Sequence, residues 1–282
     1  MADNLKIFVT GASSGIGRAV AIELAQRGHT VFAAARREAA LDDLAASHRG
    51  IVAVPLDVAD QDSIDNAWSV IDSTTHGAGV DVLVNAAGYA LTGPIETLPI
   101  REVKRQFDTN VFGLLAVTRA VLPAMRARRG GRVINISSIV GRTSFPAMGV
   151  YGATKYAVEA LSDALRMELA PIGIDVVLIE PGFVATDIVD ASTRERGDAA
   201  VAPDGDVDGY RPLIEGAERF MAKQMKQAMP ASALARTIAD AAESRRPRTR
   251  YVAPVSAKGL VAVFTRLPDR LADTVKRRAI VG

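Results

Sequence analysis

A short apolar run at residues 5–10 ends in Gly11-Ala12-Ser13-Ser14-Gly15-Ile16-Gly17, and an amphipathic stretch at 18–27 follows, closed by Gly28. This strand–turn–helix order constrains the fold more than any other feature of the chain. Glycines let the backbone turn sharply and let a bound group approach it closely. The helix then opens with free N–H groups and the positive end of its dipole, which suits a pyrophosphate. The turn predicts dinucleotide binding through Gly11, Ser13, Ser14, Gly15, Ile16 and Gly17, with G-x-x-x-G-x-G spacing in place of the commoner G-x-G-x-x-G.

The same alternation continues down the chain. Strand patterns recur at 30–35, 51–54, 80–84, 132–136 and 174–179, separated by helical patterns at 38–47, 61–75, 99–128 and 151–170. Two further helices are expected at 213–229 and 231–245, then a short strand at 251–253. Strands alternating with helices predict an α/β fold: one doubly wound, Rossmann-type parallel sheet of about seven strands with helices on both faces. With 282 residues, 49% hydrophobic and only 5% aromatic, the chain suits one such domain built from small side chains. Residues 187–212 lose periodicity, the mark of a lid, a binding loop or disorder. The basic connector at 245–250 reads as a solvated turn. The amphipathic extension at 254–282, interrupted at Pro268, could pack on the body, meet a partner or touch a membrane surface.

Composition narrows the function. There is no cysteine, hence no disulfide framework and no thiolate metal site, and the three histidines (His29, His48, His76) lack metal-ligand spacing. All three read as surface or helix-end residues, and no metal is expected. A net charge of +2 with interspersed signs does not argue for nucleic acid. No signal-peptide pattern and no apolar run long enough to span a membrane is present, so a cytoplasmic protein without an integral span is expected.

Several positions carry candidate chemistry. Arg36 and Arg37 follow the second strand directly, where an NAD site would place an acid for the ribose hydroxyls. Two guanidinium groups match a 2′-phosphate instead, which favours NADP(H) over NAD(H); the alternative is a pair of solvated loop arginines. Asp57, followed by Val58, could reach an adenine amino group or simply start a loop. Asn85-Ala86-Ala87-Gly88 is a small-residue turn at a carboxyl end of the sheet, where open α/β folds bind ligands. Asn110 sits inside a helical pattern that asparagine does not favour, marking either a purposeful kink or a tolerated polar site. Ser137-Ser138 ends the fifth strand. Tyr151 and Lys155, four apart, share one helix face. An ammonium beside a phenol favours the phenolate and lowers the phenol's pKa from its ordinary value near ~10, giving a general acid–base usable at neutral pH.

As a set these residues resemble the short-chain dehydrogenase/reductase family. The glycine turn, the Asn85–Gly88 turn, Asn110, Ser138, Tyr151-x-x-x-Lys155 and Pro181-Gly182 stand in the family's order, and Ser138 precedes Tyr151 by the family's thirteen residues. The resemblance spans about residues 5–190. One departure is Ala86, where many members carry a second asparagine. Residues 151–187 resemble the hydroxysteroid and retinol dehydrogenase branches in particular. The resemblance implies hydride transfer between a carbonyl and an alcohol, with Tyr151 as general acid or base and Lys155 holding the nicotinamide ribose. Ser138 would polarise the carbonyl, and Asn110 would hold a relay water. Pro181, Gly182, Val184 and Thr186 would meet the carboxamide, and the region 187–230 would cover the substrate. The resemblance also implies an apolar substrate (steroid-, retinoid- or lipid-like) and a homodimer or homotetramer. An NAD-preferring alcohol dehydrogenase and a non-catalytic dinucleotide sensor are the competing readings.

Overall fold

The computed structural model describes residues 4–186 and 208–281, so most of the expected lid loop lies outside the described residues. The strands are β1 (Lys6–Thr10), β2 (Thr30–Ala35), β3 (Ile51–Pro55), β4 (Val82–Asn85), β5 (Gly131–Ile136), β6 (Ile174–Pro181), β7 (Val184–Ala185), β8 (Met229–Pro230) and β9 (Arg250–Ala253). The helices are α1 (Gly15–Gln26), α2 (Glu38–Ser47), α3 (Gln61–Thr74), α4 (Ile100–Phe107), α5 (Leu114–Ala127), α6 (Gly149–Leu169), α7 (Arg211–Met225), α8 (Ala231–Glu243), α9 (Ala257–Phe264) and α10 (Asp269–Val281).

Seven strands form one sheet in the order β3-β2-β1-β4-β5-β6-β9, and every pairing in it is parallel. Its strands are apolar on both faces because helices cover both. Ile7, Val9, Val31 and Val84 pack with Val20, Leu24, Leu234 and Ile238 on one face. Their neighbours Phe8, Phe32, Leu83 and Val133 pack with Ile64, Ile71, Val117 and Val121 on the other. Each such side chain, once fully buried, contributes roughly 1.5–3 kcal/mol. Strand order reverses between β1 and β4, so the connections leaving their carboxyl ends part and open a crevice.

Four expectations need correction. The helical pattern at 99–128 is two helices, α4 and α5, joined by a π-helical turn at Asp108–Gly113 that contains Asn110. The helix expected to reach residue 229 stops at Met225, and Met229–Pro230 instead pairs in parallel with Val184–Ala185. His29, expected at the surface or a helix end, does follow the end of α1 but is 3% exposed. Its Nδ1 accepts from the Leu5 N–H (3.3 Å) and its Nε2 lies 2.9 Å from Glu243. Together with the Arg27 ion pairs to Asp240 and Glu243, both 2.8 Å, this clamps α8 onto the end of α1. Finally, Arg250 is no solvated turn residue; its side chain runs into the protein, as described below.

The C-terminal extension packs on the body. Helix α10 lies so close to α7 that a Cβ on Gly216 would fall 2.3 Å from the Ile280 carbonyl oxygen. Among the described residues, no helix is long and apolar enough to cross a membrane.

Candidate active site

The crevice at the strand-order reversal is built by two loops locked to each other. The Thr10 hydroxyl accepts from the N–H groups of Ala86 and Ala87, both at 3.1 Å. A Cβ on Gly17 would sit 2.4 Å from the Gly11 carbonyl oxygen, so glycine alone lets α1 start this close to the turn. Gly11, Ser13, Ser14, Gly15, Ile16, Gly17, Arg36, Arg37, Asp57, Val58, Ala86, Gly88 and Thr186 all line the resulting groove. The Arg37 guanidinium donates to Ser13 Oγ from Nε (3.2 Å) and Nη2 (3.0 Å), which holds it against the glycine turn. Arg36 lies 3.9 Å from Asp57. Asp57 also starts its loop, accepting from the Ala59 N–H at 3.0 Å. A backbone cradle flanked by two guanidinium groups fits a dinucleotide phosphate.

The groove runs into a second cavity of about 290 Å³, and Ile16, Ala86, Gly88 and Thr186 line both. Ser138, Tyr151, Lys155, Pro181, Gly182 and Val184 line this second cavity. Ser138 follows the end of β5 and caps the short turn after it, accepting from the Val140 N–H at 3.3 Å. Tyr151 and Lys155 sit on α6, both buried, and Lys155 Nζ donates to the Ile136 carbonyl at 2.8 Å. The ammonium lies 5.7 Å from the centre of the Tyr151 ring.

The electrostatics differ from the expectation. Burial pushes the Tyr151 phenol up to about 12, against a smaller lowering by its hydrogen bond to Ser138. Burial likewise pulls Lys155 down to about 8, opposed by the charge of Glu159. Desolvation outweighs the lowering contact, so the phenol stands above its ordinary value and not below it. Tyr151 is therefore protonated at neutral pH.

Two of the asparagines lie outside both cavities' linings. Asn85 Nδ2 donates to Thr118 (3.0 Å) and Asn135 (2.9 Å), so its side chain stitches β4 to α5 and β5. Asn110 Oδ1 accepts from the Tyr89 N–H (3.1 Å), while its Nδ2 donates to the Tyr89 carbonyl (2.9 Å) and to Thr154 Oγ1 (3.1 Å). The π turn thus fixes the strand-end loop after Gly88 against α6, one residue from Lys155.

A charged cluster escaped the sequence reading. Glu159 lies one turn beyond Lys155 on α6 and is 6% exposed. Arg250 meets it at 3.2 Å, Asp163 at 2.6 Å and Glu180 at 3.0 Å. Glu180 also pairs with Arg142 at 3.3 Å. Burial raises the Glu159 carboxyl above its ordinary range, and Arg250 draws it back. Asp163 is held below its ordinary range by Arg250 and Arg166, despite partial burial. The i, i+4, i+8 run Tyr151–Lys155–Glu159 was the available signal.

The far wall of the second cavity is apolar. Phe145, Phe183, Phe220, Met221 and Met225 line it, joined by Leu260 and Phe264 from α9 and by Lys276 and Ala279 from α10. Replacing Gly216 by valine is expected to lift α10 away and open this wall. Overpacking of this kind costs ~1–3 kcal/mol of stability, a fall in melting temperature of roughly 2–12 °C. Thermal unfolding checks this, and an unchanged melting temperature would mean that α10 does not rest on Gly216.

Comparison with known proteins matches residues 6–197 to the short chain dehydrogenase family. The chain is 33% identical over 272 residues to an NADPH-dependent 3-dehydrocapnine reductase of Ornithobacterium rhinotracheale, covering 95% of this chain and 94% of that one. It is 34% identical over 289 residues to human retinol dehydrogenase 5, covering 97% and 88%. A solved short chain dehydrogenase/reductase from Burkholderia phymatum, in complex with NAD, superposes with a TM-score of 0.79 at 26% identity, covering 93% of this chain and 92% of that one.

Proposed function

Because this chain belongs to the short-chain dehydrogenase/reductase family of oxidoreductases, we propose that it interconverts a carbonyl and an alcohol with NADP(H), using Tyr151 as the general acid–base. The observation that carries this reading is the convergence of Ser138, Tyr151 and Lys155 in an apolar cavity that opens into the dinucleotide groove. A bound nicotinamide supplies the hydride. The chain's own residues do the rest. Ser138 and Tyr151, hydrogen-bonded to each other, form a pair of hydroxyls able to polarise a carbonyl oxygen. Tyr151 gives that oxygen its proton in reduction and takes it back in oxidation. Lys155, anchored by the Ile136 carbonyl, keeps a positive charge close to the phenol and favours the phenolate that reduction leaves behind. Asn110 acts at one remove, by holding the loop after Gly88 and the α6 backbone in register.

The preference for NADP(H) rests on Arg36 and Arg37 in the groove and on Ala35, where an NAD site would carry an acid at the end of β2. Arg36→Asp is expected to weaken NADPH by about 10- to 100-fold, the worth of one charge-assisted contact of ~1.5–3 kcal/mol, and to leave NADH within a few-fold. Fluorescence titration of both cofactors checks this, and equal losses would remove the 2′-phosphate role. An NADH preference in the unmodified protein would replace this reading by the NAD-dependent one.

The apolar lining of the second cavity supports an apolar substrate, in keeping with a relative named for retinol. Helix α7, at the end of the region 187–230, closes one side of it through Phe220, Met221 and Met225 and serves as part of a lid. Exposed apolar residues on the π turn and α6 (Phe112, Tyr156, Met167) support a homo-oligomer joined through this side.

A further inference from the structure

We infer that the apolar cavity ends in an anion subsite at Lys276, so that the substrate is amphipathic: an apolar carbonyl or alcohol compound carrying an acidic group away from the reacting carbon. This rests on the proposed hydride transfer for the identity of the reacting end alone.

Two charged side chains line the cavity among the described residues, and both are lysines. Lys155 belongs to the proton-transfer group. Lys276 comes from α10, on the wall formed by the C-terminal extension. Its ammonium lies 5.6 Å from the centre of the Phe145 ring and 5.3 Å from that of Phe264. The two rings meet edge to face at 6.1 Å and form a small aromatic bracket around it. Aromatic faces attract a cation without neutralising its charge. Among the described residues Lys276 has no ion-pair partner, and Asp273, three residues earlier on the same helix, makes none with it. No carboxylate lines the cavity among those residues either.

The position is a poor one for a lysine that serves only solubility. A half-buried cation on a wall of phenylalanine, methionine and leucine lacks part of its hydration and gains no carboxylate in exchange. An anion brought in by the ligand restores that balance, and the apolar surroundings strengthen the attraction beyond its value in water. A carboxylate, sulfonate or phosphate ester supplies the same charge and acceptor oxygens. The rest of such a ligand would lie along Phe220, Met221 and Leu260 and deliver its carbonyl to Ser138 and Tyr151. The alternative is that Lys276 only clasps α10 to the Phe145 loop, in which case it should be blind to ligand charge.

The test uses 9-oxodecanoate and its methyl ester, which share one carbonyl and one chain and differ in charge. Calorimetric titration of the full-length protein should show the acid binding about 10-fold or more tightly than the ester, the value of a charge-assisted contact. Lys276→Met, which keeps an apolar stem against both rings, should abolish that preference by weakening the acid alone. Lys276→Arg should retain it. Equal binding of acid and ester, no binding of the acid, or a preference that survives in Lys276→Met would each overturn the subsite. Turnover is read separately by NADPH consumption. An acid preference without NADPH consumption keeps the subsite and removes the proposed reductase activity. Consumption without any charge preference does the reverse.

Discussion

Tyr151→Phe should lower the turnover number by about 1,000-fold or more while NADPH still binds with its original affinity. A positioned general acid is worth roughly 10²–10⁴ in rate. Phenylalanine fills nearly the same volume, so a buried position should tolerate it without a cavity. What disappears is the one hydroxyl that pairs with Ser138 and carries a transferable proton. Steady-state kinetics with a ketone, alongside cofactor titration, decides the matter, and turnover within tenfold of the original would end the assignment of Tyr151. The pH profile adds a second reading. Lys155, pulled down to about 8 by burial, carries its charge below that pH and loses it above. The phenol, pushed up to about 12, keeps its proton well beyond. Reductive turnover should therefore decline first through the titration of Lys155. A decline appearing only above about pH 10, where an unperturbed phenol titrates, would shift the dependence from the ammonium to Tyr151 itself.

Arg250→Met should cost about 3 kcal/mol of stability and lower the melting temperature by roughly 6–12 °C. Arg250 stands between Glu159, Glu180 and Asp163, and two of these carboxylates are nearly inaccessible: Glu159 is 6% exposed and Glu180 is 1% exposed. Removing the shared cation leaves the buried Glu159 without its arginine and Glu180 with Arg142 alone, the costlier half of breaking a buried pair. The side chain of Arg250 is itself 27% exposed, which places the loss at the lower end of the range for such pairs. The sign of the pH dependence follows from Glu159. Its native pKa stands above the value of 4.5 that it has when unfolded, so folding favours the protonated carboxyl. Without Arg250 that offset grows. The deficit should widen as pH rises above about 4.5 and shrink in acid. Thermal unfolding at pH 4 and pH 8 compares the two cases, and a deficit independent of pH would mean that the loss is one of packing.

The framework of the fold was legible because its signals are local. Apolar runs bounded by glycine and turn residues located every strand of the main sheet within about two residues, and Asn110 marked the π turn by being a poor helix former. The glycine turn, Arg36, Arg37, Ser138, Tyr151 and Lys155 are brought together as expected. What escaped depends on partners far away in sequence. Arg250 looked solvated because five residues of its basic connector are charged or proline, yet its carboxylates lie 70 to 91 residues earlier. Asn85 faced the core instead of the groove because its partner Asn135 lies across a strand pairing. The direction of the Tyr151 pKa could not be read from a four-residue spacing, since burial, a property of the whole fold, sets it. Phe220, Phe264 and Lys276 of the cavity wall come from helices that only tertiary packing brings to the site.

The position of β9 has a consequence for how the protein is made. Six strands of the sheet are synthesised by residue 181, but the seventh, which pairs with β6, begins only at Arg250. The edge of β6 therefore lacks its strand partner until residues 182–249 have been made. A growing sheet edge invites pairing with other chains. When β9 docks, Arg250 joins Arg142 at the Glu180 carboxylate. The last strand to be made thus closes the sheet edge and completes the charged cluster in one step.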